Sequence, residues 1–325
     1  MKFIGVFTLI TVVVFGVKAW SPLKNPYDLF ALTHKIHTIT ECMDVRSEPG
    51  DYIFKKFPKR SASSRMSYVN LDQEAMEQIE EDPMTVCGLY IIGEPDTIVE
   101  VTIKQYNVNC ESGGLMAFVD GWELNGEYFP SEVDHHRKLE DRVVEFCSDY
   151  RQWPKVSNKK FFKSSQNAAL LQYRIPTKGF FIANVKFHKI SQPCNVLVQD
   201  TDGIFQLNNY GHPWNCTIAA IFPAVVSLSS LKIGSKALRN EKVNYDCQME
   251  DRLDIGGSGG LENSNMDKSS SVCGYSDAPG PQQALFCGTT SVRLVSSGKY
   301  SNQATVEIRK ASVEDYDLAT LICPV

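Results

Sequence analysis

Ten cysteines constrain the fold of this 325-residue chain more than any other feature of its sequence. The even count allows every cysteine to be paired, and no C-x-x-C arrangement occurs, which argues against a zinc cluster or a thioredoxin-type redox site. Ten cysteines allow roughly 945 pairings, and their spacing does not choose among them. They are Cys42, Cys87, Cys110, Cys147, Cys194, Cys216, Cys247, Cys273, Cys287 and Cys323.

The N-terminus has the pattern of a secretory signal peptide. Lys2 is followed by an apolar run from Phe3 to Val17 and by the small residue Ala19, after which cleavage is expected. The run of about 15 residues is shorter than the roughly 20 that a membrane-spanning helix needs. We therefore expect residues 1–19 to be removed and the mature protein to be secreted, extracellular and without a membrane partner. An oxidising environment favours five disulfides.

Composition and length narrow the class of protein. Apolar residues make up 43% of the chain and charged residues 22%, which is typical of a globular protein. The formal net charge of −5 argues against a nucleic-acid partner, because phosphate binding needs clustered positive charge. Single cores stop growing at roughly 250–300 residues, so two domains are expected. The break at Ile190–Cys194 predicts an N-terminal domain at 20–190 and a C-terminal domain at 191–325.

Short alternating segments predict an all-β fold. In Thr97–Val108 the valines and Ile103 alternate with polar residues, and Leu115–Val119 ends at the turn signal Asp120-Gly121. Many such segments, separated by turn residues, indicate antiparallel β-sandwiches with few short helices.

Helical and loop segments are fewer. Trp20–Ile39 looks partly helical, and Asp72–Glu81 predicts a strongly acidic helix that Pro83 ends. Two polar stretches, Ser235–Asp246 and Gly256–Ser271, are expected to be exposed loops open to proteolysis.

The candidate catalytic and metal motifs are weak. A G-x-S-x-G match surrounds Ser258, but no apolar helix follows it, as a nucleophile elbow requires. His135 and His136 are adjacent, so they lack the spacing of a zinc-binding helix, and we expect a solvated loop there. No phosphate-binding or dinucleotide motif is present, so we expect no enzyme, no cofactor and no metal. Asn215 begins an N-x-T sequon and is a candidate glycosylation site.

Several longer motifs resemble the corticotropin-releasing factor-binding protein family. The matching segments run from about Thr38 to Cys323 and, more widely, the cysteine and Asp-Gly pattern is similar to a CUB domain in each half. The resemblance therefore implies a fold of two tandem CUB-like antiparallel β-sandwiches stabilised by disulfides. The motifs are FVDGWELNGEYFPS at 118–131, SSQNAA at 164–169, PCNV at 193–196 and VSSGK at 295–299.

The resemblance also implies a disulfide pairing and a site. Family cysteines pair consecutively, and family binding residues flank the first cysteine as Arg-x-x-x-Cys-x-Asp. Here the acid is Asp44, while Thr38 stands at the arginine position, so Lys35, His37 or Arg46 is expected to replace that cation. The alternative is a purely structural role, in which Asp44 is a strand-edge carboxylate that fixes a turn. The implied pairs are Cys42–Cys87, Cys110–Cys147, Cys194–Cys216, Cys247–Cys273 and Cys287–Cys323.

The implied function is non-catalytic binding of a corticotropin-releasing-factor-like peptide hormone, which keeps the hormone from its receptor. The longer first cysteine loop and shorter last one suggest an invertebrate member with a diuretic-hormone-type ligand. The alternative is an extracellular CUB-type interaction or adhesion protein without hormone binding. Many CUB domains bind calcium through three acids, but Gly114 and Ser296-Ser297 stand at acid positions, although Asp251 is present, so no calcium is expected.

Overall fold

The computed structural model describes residues 35–57, 85–148, 159–176, 178–200, 202–234 and 243–324. The predicted signal peptide, the predicted acidic helix at Asp72–Glu81 and most of the Ser235–Asp246 loop lie outside these residues. Within them the protein is built almost wholly from β-strands, so the prediction of an all-β, disulfide-stabilised fold is confirmed.

The described residues form twenty-three strands and three short helices. The helices are η1 (Glu132–Asp134), α1 (Leu139–Arg142) and η2 (Val313–Leu318). The strands are β1 (Ile36–Thr38), β2 (Met43–Arg46), β3 (Gly50–Lys56), β4 (Cys87–Ile92), β5 (Thr97–Asn107), β6 (Leu115–Val119), β7 (Trp122–Leu124), β8 (Glu127–Phe129), β9 (Val143–Phe146), β10 (Lys160–Lys163), β11 (Ala168–Arg174), β12 (Gly179–Lys189), β13 (Val196–Val198), β14 (Gly203–Asn208), β15 (Cys216–Ala220), β16 (Ala224–Ile233), β17 (Arg252–Ser258), β18 (Asp267–Val272), β19 (Gly274–Ser276), β20 (Gln283–Phe286), β21 (Thr289–Val295), β22 (Gln303–Lys310) and β23 (Ala319–Ile322).

The first sandwich packs two five-stranded sheets face to face. Sheet 1 has the order β1-β3-β12-β5-β10, and sheet 2 has the order β2-β4-β11-β6-β9. Alternation in β5 buries Val99, Val101 and Ile103 between the sheets and turns Glu100 outward. The core that results contains aromatic side chains such as Tyr52 from sheet 1, together with aliphatic residues from both sheets.

The second sandwich repeats this plan after residue 195. Sheet 3 has the order β13-β15-β21-β17-β18, and sheet 4 has the order β14-β22-β16-β20-β23, with β19 paired to β16. Its core includes Ile218 and Val292 from sheet 3 and Val226 and Val306 from sheet 4. The predicted boundary between residues 190 and 191 falls between β12 and β13, and the division into domains 20–190 and 191–325 stays a prediction.

A third apolar cluster joins the two sandwiches. Tyr90 and Leu170 lie on the face of sheet 2 that points away from its own core, and they pack with Trp122 and with Leu197 and Leu261 of the second half. Burying a large apolar side chain stabilises a fold by about 1.5–3 kcal/mol. The central part of the outward face of sheet 2, at β4 and β11, is therefore an internal surface of the molecule.

Two of the expected segments differ in the structure. The polar stretch Gly256–Ser271 is not one loop, because β17 runs through Ser258 and β18 begins at Asp267. At Gly257 a Cβ atom would lie 2.6 Å from the Cys287 sulfur, so this glycine provides close packing and not flexibility. The last part of the expected Trp20–Ile39 helix is also wrong, since Ile36–Thr38 forms β1 alongside β3. Its β-branched residues suit a strand.

Candidate functional site

The edge strand β2 carries the acid that the family pattern points to. β2 runs parallel to β4 at the end of sheet 2, and the Gly88 N–H donates to the Cys42 carbonyl at 2.7 Å. In a parallel ladder that bond directs the backbone groups of Asp44 toward β4. The N–H and C=O groups of Met43 and Val45 consequently point away from β4, at the edge where the sheet ends among the described residues.

Asp44 is held by a neighbouring cation. Arg46 lies two residues along the strand on the same face, with its Nε 2.8 Å from Asp44 Oδ1 and its terminal nitrogen 2.9 Å from Oδ2. The hydrogen bond that Arg46 donates to Asp44 raises the pKa of Arg46 above its ordinary value. Asp44 itself is only 7% exposed, whereas the Arg46 side chain is 36% exposed. The pair therefore presents a fixed guanidinium at the surface, backed by a buried carboxylate.

A stacked His–Tyr pair supports this corner of the sandwich from sheet 1. The His37 ring lies 4.7 Å from the Tyr52 ring with planes 9° apart. The Tyr52 hydroxyl donates to the Glu48 carbonyl at 2.6 Å, and burial raises the pKa of Tyr52 to about 12. At neutral pH this hydroxyl is therefore a fixed donor, which keeps β1 and β3 in place beside the Asp44–Arg46 pair.

Thr38 does not lie with Asp44. It stands opposite Ile53 on the outward face of sheet 1, where it is exposed, while Asp44 belongs to sheet 2. Arg46, one of three cations expected to replace the family arginine, contacts Asp44. His37 instead stacks on Tyr52.

Apolar side chains flank Asp44 on the strand. Met43 is 48% exposed and Val45 is 41% exposed, and both point to the outward face of sheet 2. At Gly88, opposite Met43, a Cβ atom would lie 2.6 Å from the Tyr90 ring, so the missing side chain lets that ring lie against the sheet. The sequence analysis did not identify Met43 and Val45 as exposed strand residues, although the alternation Met-Asp-Val-Arg directly after Cys42 is a strand signal.

The structure pairs all ten cysteines. The pairs are the five that the resemblance implies: Cys42–Cys87, Cys110–Cys147, Cys194–Cys216, Cys247–Cys273 and Cys287–Cys323. Their Cα–Cα distances range from 4.5 to 5.7 Å, within the usual span of a disulfide. Each bridge lies within one sandwich, and Cys42–Cys87 fixes the start of β2 to the start of β4.

Ser258 has the environment of a structural residue. It lies at the end of β17, and its hydroxyl donates to the Gly260 carbonyl at 2.7 Å. A nucleophile elbow instead needs a turn from a strand into a helix.

The solvated loop expected at Asp134-His135-His136 is wrong, because Asp134 and His135 are buried. Arg293 of the second sandwich binds Asp134 through two bonds, Nε to Oδ2 at 2.7 Å and the terminal nitrogen to Oδ1 at 2.6 Å. Burial alone lowers the pKa of Arg293, but the hydrogen bond and charge of Asp134 outweigh this and raise it. His135 Nε2 lies 3.4 Å from a carboxylate oxygen of Asp120. The Asp134–Arg293 pair binds the two halves together, which no local sequence signal indicated.

At the positions that correspond to calcium ligands of CUB domains, the structure shows hydrogen bonds around Asp251 and close packing at Gly114. Asp251 accepts bonds from the backbone N–H and hydroxyl of Ser297 and from the Asn302 amide. At Gly114 a Cβ atom would lie 2.5 Å from the Asn109 carbonyl oxygen, so a side chain would not fit without a shift. In the part of the chain that the structure describes, no cluster of three or more His, Cys, Asp or Glu residues is arranged to hold a metal ion.

Asn215 is half-buried, and its side-chain oxygen accepts a bond from the Ser296 N–H at 3.2 Å. Its glycosylation stays a prediction. Within the described ranges, no helix is long and apolar enough to cross a membrane.

Comparison with known proteins decides the family. The model of the corticotropin-releasing factor-binding protein N-terminal domain matches residues 59–189, and that of the C-terminal domain matches residues 196–318. The chain belongs to the corticotropin-releasing factor-binding protein family. The family predicted from the sequence motifs is therefore confirmed.

Individual relatives agree with this assignment. Human corticotropin-releasing factor-binding protein is 32% identical over 240 residues, which cover 73% of this chain and 71% of the human protein. The rat protein of the same name is 28% identical over 308 residues, covering 91% of this chain and 86% of its own length. Among solved structures, the CUB1-EGF-CUB2 domains of rat MASP-1 align over 84% of this chain and 100% of that chain, at 12% identity and a TM-score of 0.26.

Proposed function

We propose that this protein is a secreted, non-enzymatic binder that sequesters a corticotropin-releasing-factor-like peptide hormone of the diuretic-hormone type. The observation that carries the proposal is the family match to both halves of the chain. The human and rat relatives are named for binding corticotropin-releasing factor. A binder of this kind lowers free hormone by mass action whenever its concentration exceeds the dissociation constant.

The free edge of β2 is the proposed docking place. Its outward N–H and C=O groups at Met43 and Val45 can extend the sheet by one strand of bound peptide. The exposed apolar side chains of the same two residues supply contacts on one face of that added strand. Backbone pairing gives affinity, and side chains placed beside the strand select the sequence.

The Asp44–Arg46 pair is the proposed polar anchor of the site. Because Arg46 is fixed by Asp44 and is partly exposed, it can bind a carboxylate of the hormone without losing much side-chain freedom. Asp44 then acts by positioning Arg46. This explains how the site could work with Thr38 at the position where the family pattern has arginine.

A titration tests the proposal directly. The full mature protein is titrated with an amidated diuretic-hormone peptide in a calorimeter, with a scrambled peptide of the same composition as the control. We expect saturable binding at micromolar concentration or tighter for the hormone alone. No heat of binding for the hormone would contradict the proposal and favour the alternative of a CUB-type adhesion protein.

A further inference from the structure

The outward face of sheet 1 carries a concentration of positive charge. Lysines project from the two strands that flank β5 near one end of the sheet: Lys163 of β10 and Lys186 of β12 lie on either side of Glu100 in β5. Their side chains are 49% and 58% exposed. The centre of the corresponding face of sheet 2 is covered by the second sandwich, whereas these lysines of sheet 1 remain exposed among the residues that the structure describes.

One carboxylate organises this cluster. Lys163 Nζ and Lys186 Nζ each lie 3.8 Å from Glu100, on different oxygens, and His188 Nε2 lies 2.8 Å from it. The Glu100 side chain is only 11% exposed, so it sits beneath the cations. A single acid cannot neutralise two lysines, and the outer surface of the cluster therefore stays positive.

More lysines continue the face along the strands. Lys104 binds Asp51 at 2.7 Å, and Lys55 projects from β3 opposite Phe180 of β12. From Lys186 to that Phe180 the strand advances about 20 Å at the usual rise of about 3.3 Å per residue. The four lysines outnumber the two carboxylates Asp51 and Glu100, although the whole chain has a net charge of −5. This face therefore carries an excess of positive charge that extends along its strands, although the chain as a whole is acidic.

We propose that this face, with Lys163 and Lys186 beside Glu100 and with Lys104 and Lys55 farther along the strands, binds a sulfated polysaccharide of the extracellular matrix. A linear polyanion matches an extended array of lysines better than a compact anion does, since each lysine releases counterions from the polymer. The Phe161 ring is 57% exposed beside Lys163, whose Nζ lies 5.6 Å from the ring centre, and offers an apolar surface to a sugar ring.

The extracellular environment favours a polysaccharide over a lipid headgroup as the source of the anion. Five disulfides favour an oxidising, extracellular environment, whereas anionic lipids concentrate on the cytoplasmic side of the membrane. This inference goes beyond hormone binding, because the lysine cluster lies on β5, β10 and β12, and the proposed docking strand β2 belongs to the other sheet.

Binding of a heparin dodecasaccharide to the full mature protein, measured at several NaCl concentrations, tests the proposal. We expect affinity that falls as salt rises, and a loss of about tenfold or more in the double variant Lys163→Gln/Lys186→Gln. The double variant Lys163→Arg/Lys186→Arg keeps the charge and is expected to bind. The matched control, Lys138→Gln/Lys299→Gln, removes two exposed lysines that pair with exposed acids elsewhere and should leave affinity unchanged.

Glu100→Gln separates a binding face from a merely structural salt-bridge cluster. Removing the neutralising carboxylate should tighten dodecasaccharide binding by about threefold or more, because the local positive potential rises. Equal affinity in the Lys163→Gln/Lys186→Gln variant and the wild type would overturn the proposal. It would also be overturned if polyglutamate of equal charge, or vesicles of phosphatidylcholine with phosphatidylserine, bound as tightly with the same dependence on these lysines.

Discussion

At the residue scale, the site depends on how Asp44 is neutralised. Its carboxylate is nearly buried, accepts a hydrogen bond from a terminal nitrogen of Arg46 and lies 2.8 Å from the Arg46 Nε, so the pair is fixed before any ligand arrives. The family resemblance located Asp44, and the sequence left Arg46 as one of three replacement cations. Sequence spacing could not choose among them, because Thr38 and Asp44 lie on different sheets and their separation depends on how the sheets pack.

Asp44→Asn is expected to weaken hormone binding by about tenfold or more, roughly 1.4 kcal/mol, because Arg46 loses the charge that orients it. Arg46→Gln should have an equal or larger effect, since it removes the proposed contact itself. The matched control is Glu145→Gln, which changes an exposed acid on β9 at the opposite edge of sheet 2. Calorimetric affinities that are the same for Asp44→Asn and the control would reject the anchor.

At the element scale, the edge strand β2 supplies the backbone groups of the proposed site. The longer strands followed from sequence alternation, and Leu115–Val119 was predicted with the bounds it has in the structure. The short parallel strands β1 and β2 were not predicted, because alternation over only three or four residues, as in Met43–Arg46, does not by itself distinguish a strand from a loop. Their pairing depends on β3 and β4, which lie beyond the reach of local patterns.

Val45→Pro is expected to abolish hormone binding with little loss of stability. Proline removes the outward N–H of Val45 but no bond to β4, and an edge strand tolerates it. Glu145→Pro is the control, because the register of β9 also turns the Glu145 N–H away from its sheet. Binding is measured by titration and folding by thermal denaturation. Retained binding in a folded Val45→Pro protein would exclude strand addition at this edge.

At the scale of the whole molecule, the buried Asp134–Arg293 pair and the third apolar cluster hold the two sandwiches together. Sequence periodicity shows that a strand has an apolar face, but not which element covers it. The sequence therefore did not indicate that the second sandwich packs against the outward face of sheet 2, or that Asp134 is buried. This contact also holds sheet 2, and with it β2, in a fixed frame.

Arg293→Ala should destabilise the protein by about 3–5 kcal/mol, because it leaves the Asp134 carboxylate buried without a partner. We expect one calorimetric unfolding transition for the wild type and two for this variant, as the sandwiches lose their coupling. Arg309→Ala, which breaks the more exposed pair with Asp315, should cost much less stability and keep one transition. Identical thermograms for the two variants would contradict a coupling role for Arg293.

The central claim is that the protein passively traps a peptide hormone, and a receptor assay measures this most directly. Cells that express a diuretic-hormone receptor are stimulated with the hormone at rising concentrations of the purified protein. The account predicts that the half-maximal hormone dose increases in proportion to the added protein, with an unchanged maximal response, and that Arg46→Gln shifts it far less. An unchanged half-maximal dose at protein concentrations well above that of the hormone would contradict the account.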